Sequence, residues 1–567
     1  MNPTRPTFFR NSLALALATA ALLVLACSSK PVSEPGGPGA AAAPDGSVPA
    51  PKLLDDLGGH SHPIRTSSPL AQRYFDQGLV LTFGFNHEAA VRSFEHATSL
   101  DPGCAMCFWG IALALGPNIN APMGPDAGRR AYAAAQEALR LAPNASPKEQ
   151  AMIEALATRY AAHPEPERTA LDRAYAEAMR GVATRYPDDL DIATLFAESL
   201  MDLHPWDYWT DAAAPRQDTP EILAQLERVL ARQPAHVGAN HYYIHAVEEF
   251  FPERGVAAAD RLAQAAPDDA GHLVHMPSHI YWRVGRYEDA LEINQRAIAA
   301  DEAFFSWCRA GPFYEAAYYP HNVHFLWAAA STEGRSEIAL SAARKLAAST
   351  SEQVDAYPFV EEFMAIPGLT LARFGRWDAI LGEPQPAPER RYLTGIWYYT
   401  RGLALARTGA PEVARAELAR LRAVAAEPAA TELLLAGGTA TASALLEIGA
   451  AHLDGEIAAA QGLHAEAITA LESAVTAQDA LVYMEPPPWY LPSRQALGAV
   501  LLDAGRADDA EAVYRLDLEK LPRNGWSLYG LSRSLRAQER DSEADWAERG
   551  FETAWARADV ELRASRF

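Results

Sequence analysis

The chain has 567 residues, 49% hydrophobic and 21% charged, with 72 Asp and Glu against 49 Lys and Arg for a formal net charge of -23. It is too long for one simple core, and the abundance of Ala and Leu with few alternating apolar runs points to helices throughout. The acidic excess, spread along the chain, argues against nucleic acid or an anionic membrane surface as partner, because both require clustered cations.

Residues 1–27 open with Arg5 and Arg10, continue through a mostly apolar stretch from Asn11 to Ala26, and end in VLAC at Cys27. The apolar stretch is shorter than the ~20 residues a membrane span needs. The pattern resembles a bacterial lipoprotein signal peptide, which implies cleavage before Cys27 and acylation of its thiol. Ser28 follows, where an aspartate would resemble an inner-membrane retention signal, so the resemblance implies an outer-membrane lipoprotein facing the periplasm, with the lipid as its sole membrane contact. Residues 28–54 are rich in Pro, Gly and Ala and read as a tether. In an oxidising compartment the Cys104 and Cys107 pair is a candidate disulfide, with a zinc site as the alternative, and Cys308 reads as a buried or free thiol.

From Ala71 onward the chain repeats. Counting Ala71 as position 1 of a 34-residue unit, Gly78, Leu81, Ala90, Phe94, Ala97 and Pro102 fall at positions 8, 11, 20, 24, 27 and 32. Small residues at 8, 20 and 27 let two helices approach, large ones at 11 and 24 fill the space between them, and proline stops the second helix. This resembles the tetratricopeptide repeat. Further units start near Ala105, Leu190, Val237, Gly271, Pro320, Glu361, Gly395, Ile448, Leu491 and Gly525, with another helical pair in 148–187. Six of them place a glycine at position 15, in the turn between helices: Gly285, Gly334, Gly375, Gly409, Gly462 and Gly505. The predicted fold is all-α, a right-handed solenoid of about ten to twelve such hairpins. Its expected parts are residues 55–236 with irregular inserts, a histidine-rich stretch over 237–360, and C-terminal units over 361–567.

The resemblance implies that positions 2, 5, 9, 12 and 13 of each first helix face a concave groove. With registers set from glycine, alanine and proline alone, His241, His245 and Glu248 take positions 5, 9 and 12 of the unit from Val237. His272, His275 and His279 take 2, 5 and 9 of the next, with Trp282 and Arg283 at 12 and 13, and His321 and His324 take 2 and 5 of the one after. Sixteen histidines in 567 residues would put roughly 0.4 on those fifteen positions, where seven occur.

Crowded neutral imidazoles desolvate poorly and protonated ones repel, whereas a divalent ion resolves both problems. Ligation by nitrogen with one carboxylate suits zinc or copper better than magnesium or calcium. Buried polar contacts or a pH-sensing cluster are the alternatives. HYYIH lacks the glutamate that follows the first histidine in HExxH metalloproteases, so that mechanism finds no support. If the site is catalytic, acid and base groups could come from Glu248, Glu249, Glu198 or Asp202, the last two at groove positions 9 and 13 of the unit from Leu190. The expectation is a lipid-anchored repeat protein whose channel holds zinc or copper and receives a peptide, protein or small-molecule ligand. The rivals are a metal-dependent hydrolase or oxidoreductase using that channel, and a metal-free interaction scaffold of the cell envelope. The inserts HPWDYW, EAAYYPHN and YMEPPPWYLPSR break the rhythm with aromatics and proline, as cavity-lining segments would.

Overall fold

The computed structural model describes residues 51–54, 59–163, 168–306, 308 and 311–567. The signal-peptide expectation, the acylation at Cys27 and most of the tether lie outside the described residues. Apart from one two-residue strand pair, Leu434–Leu435 with Ala440–Thr441, the secondary structure among the described residues is helical. The described helices fall into two compact units. The first takes the chain up to residue 280 and again over 296–315; the second takes 281–295 and 316–567.

Both units are built from antiparallel helical hairpins. In the first, Pro69–Phe83 pairs with His87–Leu100, Leu190–Met201 with Thr219–Arg232, and Val237–Val247 with Pro252–Ala265. In the second, Arg391–Arg407 pairs with Pro411–Ala425, Ala442–Ala460 with His464–Asp479, and Gly525–Ala537 with Asp541–Ala554.

The repeat anchors act as their chemistry requires. A Cβ on Gly78 would lie 2.6 Å from the Phe94 ring, and one on Gly110 would lie 2.4 Å from it. The same geometry recurs late in the chain, where Cβ atoms on Gly498 and Gly530 would come within 2.4 and 2.1 Å of Tyr514. In both places an aromatic ring sixteen residues from each glycine is clamped between two helix backbones, which only the absence of a side chain permits.

The turns repeat as faithfully. Gly285, Gly334, Gly375, Gly409, Gly462 and Gly505, the six position-15 glycines, all have positive φ, between 63° and 89°. In each case the next residue's N–H donates to the carbonyl five residues back, as Arg286 does to Tyr281 and Arg506 to Leu501. That is a helix closed by a left-handed residue. Two units put another residue there: Phe85 (φ 56°) and Glu539 (φ 58°).

Two inserts shape the first unit. Residues 202–218 form an irregular excursion pinned by Trp209 Nε1, which donates to the Ala246 carbonyl at 2.8 Å, and by Trp206 Nε1, which donates to Asn120 Oδ1 at 3.1 Å in the earlier insert, residues 115–124. Cys104 and Cys107 are joined by a disulfide at the start of the helix Ala105–Ala114, and Cys308 is half-buried, outside any disulfide among the described residues, with Arg92 3.5 Å from its sulfur.

Glycine substitutions separate clamping from mere helix propensity. Gly530→Ala is expected to cost about 1–3 kcal/mol by overpacking against Tyr514. Gly181→Ala, in the helix Thr169–Arg185 with nothing within 4 Å of its Cβ position, is expected to stabilise by about 0.5–1 kcal/mol. Denaturant unfolding of the two variants checks both signs.

Candidate metal centre

The helix Val237–Val247 begins at His236, whose Nδ1 accepts the Ala239 N–H at 3.2 Å, and carries His241 and His245 one turn apart on one face. The short helices Gly271–His275 and Pro277–Arg283 bring His272, His275 and His279 beside them. These five imidazoles close a ring within the first unit. Successive centroid distances are 4.8 Å from His241 to His245, 5.5 Å to His279, 4.9 Å to His275, 5.8 Å to His272 and 5.1 Å back to His241. None is more than 4% exposed.

Four of the five have Nδ1 engaged by a neighbour. His241 Nδ1 donates to the Phe83 carbonyl at 2.5 Å, His245 Nδ1 lies 3.3 Å from Glu248 Oε1, His279 Nδ1 lies 3.2 Å from Glu248 Oε2, and His275 Nδ1 lies 3.1 Å from Ser278 Oγ. A carbonyl or carboxylate beside Nδ1 fixes the tautomer and leaves the Nε2 lone pair for another use, the arrangement found behind metal-bound histidines, whereas the Ser278 hydroxyl can donate or accept. Glu248, expected as a ligand, places Oε1 beside His245 and Oε2 beside His279. His241 Nε2 is buried and has no hydrogen-bond partner among the described residues. The Nε2 atoms of His275 and His279 are 3.0 Å apart, close to the ~3.3 Å between two nitrogens on a tetrahedral ion at 2.0–2.1 Å.

His241, His245 and His272 offer ligand atoms within 4.8 Å of one another. Closing that set onto one ion requires side-chain shifts below ~1 Å apiece.

Two aromatic residues that the sequence reading did not assign to the site cover it. The Phe85 ring lies 4.6 Å from His241, 5.5 Å from His272 and 6.1 Å from His245, nearly parallel to the last. Trp206 meets His245 edge-on at 5.0 Å. Both have positive φ, 56° and 61°, a conformation that costs a bulky residue ~1–3 kcal/mol. The signal for Phe85 was its place at position 15, where other units carry glycine; the signal for Trp206 was the insert HPWDYW.

Glu198 and Asp202 belong to a different cluster. Glu198 and Asp202 are buried in the first unit beside Arg159, whose guanidinium is 2.5 Å from Asp202 and 3.3 Å from Asp172. Burial and the neighbouring Asp202 hold the Glu198 carboxyl well above its usual range, and burial raises Asp202 to about 6 against the pull of Arg159. Glu249 is half-buried.

His321 and His324 are on the helix Tyr319–Thr332 of the second unit. His321 packs edge-on to Phe325 at 5.0 Å, while His324 is enclosed by Trp327, Phe363 and Tyr490 at 5.4, 5.5 and 5.0 Å. An aromatic enclosure supplies no further ligand, and His324 is in none of the metal-spaced groups among the described residues. Also in the second unit, Trp282 packs on Tyr287 at 5.1 Å, and Arg283 lies 3.6 Å from Glu485.

A second histidine group surrounds Asp191, with His62 Nδ1 at 2.8 Å, His60 Nε2 at 3.1 Å and His236 Nε2 at 3.2 Å. Its spacing would suit an ion, but His236 is excluded as a ligand. Its Nδ1 already accepts a backbone N–H, so Nε2 carries the proton and donates to Asp191. The group fastens the segment around His60 and His62 to the helix Leu190–Met201.

No protein-family profile matches the chain, and no curated protein does. Among solved structures, the Rap protein complexed with competence and sporulation factor superposes with a TM-score of 0.36 at 10% identity, over 68% of this chain and 94% of that one. Human IFIT1, as a dimer with m7Gppp-AAAA, gives a TM-score of 0.30 at 11% identity over 87% and 92% of the two chains. At such scores no functional argument passes from either to this chain.

Two predictions follow from burial and strain. At position 85 the usual ranking of alanine over glycine should invert: Phe85→Gly is expected to be more stable than Phe85→Ala by about 1 kcal/mol in denaturant unfolding, because only glycine adopts positive φ without strain. Burial pushes His241 and His324 each down to about 3. The unfolded chain binds protons at these positions near pH 6.5 while the folded chain does not, so stability is complete above that pH and falls below it. Each should cost about 2 kcal/mol between pH 7 and pH 5. Urea unfolding of chelator-treated protein at the two pH values checks this, and His324→Leu should remove its share of the difference.

Proposed function

We propose that the chain is a helical-repeat protein that holds a transition-metal ion, zinc or copper, in the buried ring formed by His241, His245, His272, His275 and His279. The observation that carries this reading is the engagement of Nδ1 by a second partner in four of the five, with His241 Nε2 left buried and unpartnered among the described residues. A metal-free core would leave that lone pair desolvated, at a cost of about 1–3 kcal/mol, and a ring of neutral imidazoles offers nitrogen donors that zinc and copper accept readily.

The ring is covered by Phe85 and Trp206, so a ligand in the concave groove would reach the ion only after one of them moved. That favours a holding role over an exposed catalytic one. We further propose that the chain is anchored at the outer membrane through an acylated Cys27 and faces the periplasm. The Cys104 and Cys107 disulfide supports an oxidising compartment. The groove of the repeat array is then available to a peptide, protein or small ligand.

Elemental analysis of protein purified without chelator or nickel resin tests the reading. One or two equivalents of zinc or copper per chain are expected. The pair His241→Ala with His245→Ala should lose most of it while keeping its helical circular dichroism, and His324→Ala should retain it. Metal-free wild-type protein, or a double variant that keeps its metal, would return the chain to the interaction-scaffold reading.

A further inference from the structure

The second unit contains a cavity of about 40 Å³ lined by three arginines, Arg373, Arg407 and Arg566, in a protein whose net charge is -23. The one carboxylate side chain in its wall, Glu456, is already paired: Arg407 lies 3.1 Å from Oε2, Arg566 donates to the same oxygen, and His452 Nε2 lies 3.8 Å from Oε1. Asp503, an exposed residue, lies 3.6 Å from Arg566.

Arg373 is different. Its guanidinium lies 3.6 Å over the Trp526 ring, and among the described residues no carboxylate is within ion-pair distance of it. Burial depresses it to about 9, with Asp517 the one opposing charge. A largely desolvated cation without an anion is costly to hold, and stacking on an indole returns only ~2 kcal/mol of that.

The geometry points to a binding site for a small oxyanion, a carboxylate or an inorganic oxyanion, seated in this cavity against Arg373 and flanked by Arg407 and Arg566. The planar forks of the three guanidinium groups suit bidentate contact with either chemistry, and a volume of about 40 Å³ is close to that of one or two waters. The site is independent of the histidine ring and stands whether or not that ring holds a metal.

The test uses the whole chain. Thermal unfolding is followed in sodium chloride, formate, acetate, sulfate and phosphate at equal ionic strength and pH, alongside calorimetric titration of the wild type with formate and with sulfate. A rise in unfolding temperature over chloride, growing with concentration, and a saturable heat are expected. A response to formate and acetate alone assigns a carboxylate; a response to sulfate or phosphate assigns an inorganic oxyanion. Arg373→Met should weaken the binding at least tenfold, and should unfold in chloride at no lower temperature than wild type, because it removes an uncompensated charge. Equal unfolding temperatures in all five salts, the absence of a saturable heat, or an anion response preserved in Arg373→Met would each overturn the assignment. Should Arg373→Met fail to fold, the wild-type titration decides alone.

Discussion

Five imidazoles packed into one buried ring set a problem that the rest of the first unit is arranged around. Each brings a nitrogen lone pair into a space with little water. Burial keeps His241 from taking a proton, and two protonated neighbours at these distances would repel. The unit does not dissolve the problem with polar partners. It spends a backbone carbonyl of Phe83, both oxygens of Glu248 and the hydroxyl of Ser278 on the outer nitrogens, and His241 Nε2 is left buried with no hydrogen-bond partner among the described residues. Three donors within 4.8 Å of one another then have the spacing that could hold an ion.

The same priority appears in the backbone. Six hairpins turn on a glycine with positive φ, yet the hairpin whose turn reaches the histidines carries Phe85 there and accepts the strain. Its ring covers His241, His245 and His272, and Trp206 in its own left-handed conformation closes the other side of His245. Strain of this kind persists where surrounding packing enforces it and tends to gather at functional sites. The two inserts that break the repeat earn their place in the same way, since Asn120 of one holds Trp206 of the other.

Much of this was legible in the sequence because a tetratricopeptide-like repeat is a spacing, and spacing survives without homologues. Small residues at positions 8, 20 and 27, large ones at 11 and 24, and glycine at the turn predicted the hairpins. The helical period put His241 with His245, and His275 with His279, on common faces. What spacing could not give was depth. Positions expected to line an open groove are buried, because Phe85, Trp206 and the inserts fill the space in front of them, and contacts between turns distant in sequence have no periodic signature. For the same reason the sequence grouped His324 with the other histidines, although its neighbours Trp327, Phe363 and Tyr490 make an apolar enclosure. The cluster around Asp191 was missed because His60, His62 and His236 come from a loop and a helix cap outside any repeat register.

The account rests on imidazole nitrogens converging on one ion. X-ray absorption at the zinc or copper edge of protein purified without chelator or nickel resin measures that directly. The prediction is a first shell of three to four nitrogens at about 2.0–2.1 Å with the multiple-scattering pattern of histidine rings, reduced or lost in the variant lacking His241 and His245. A shell of oxygens alone, or a histidine pattern unchanged in that variant, would contradict it.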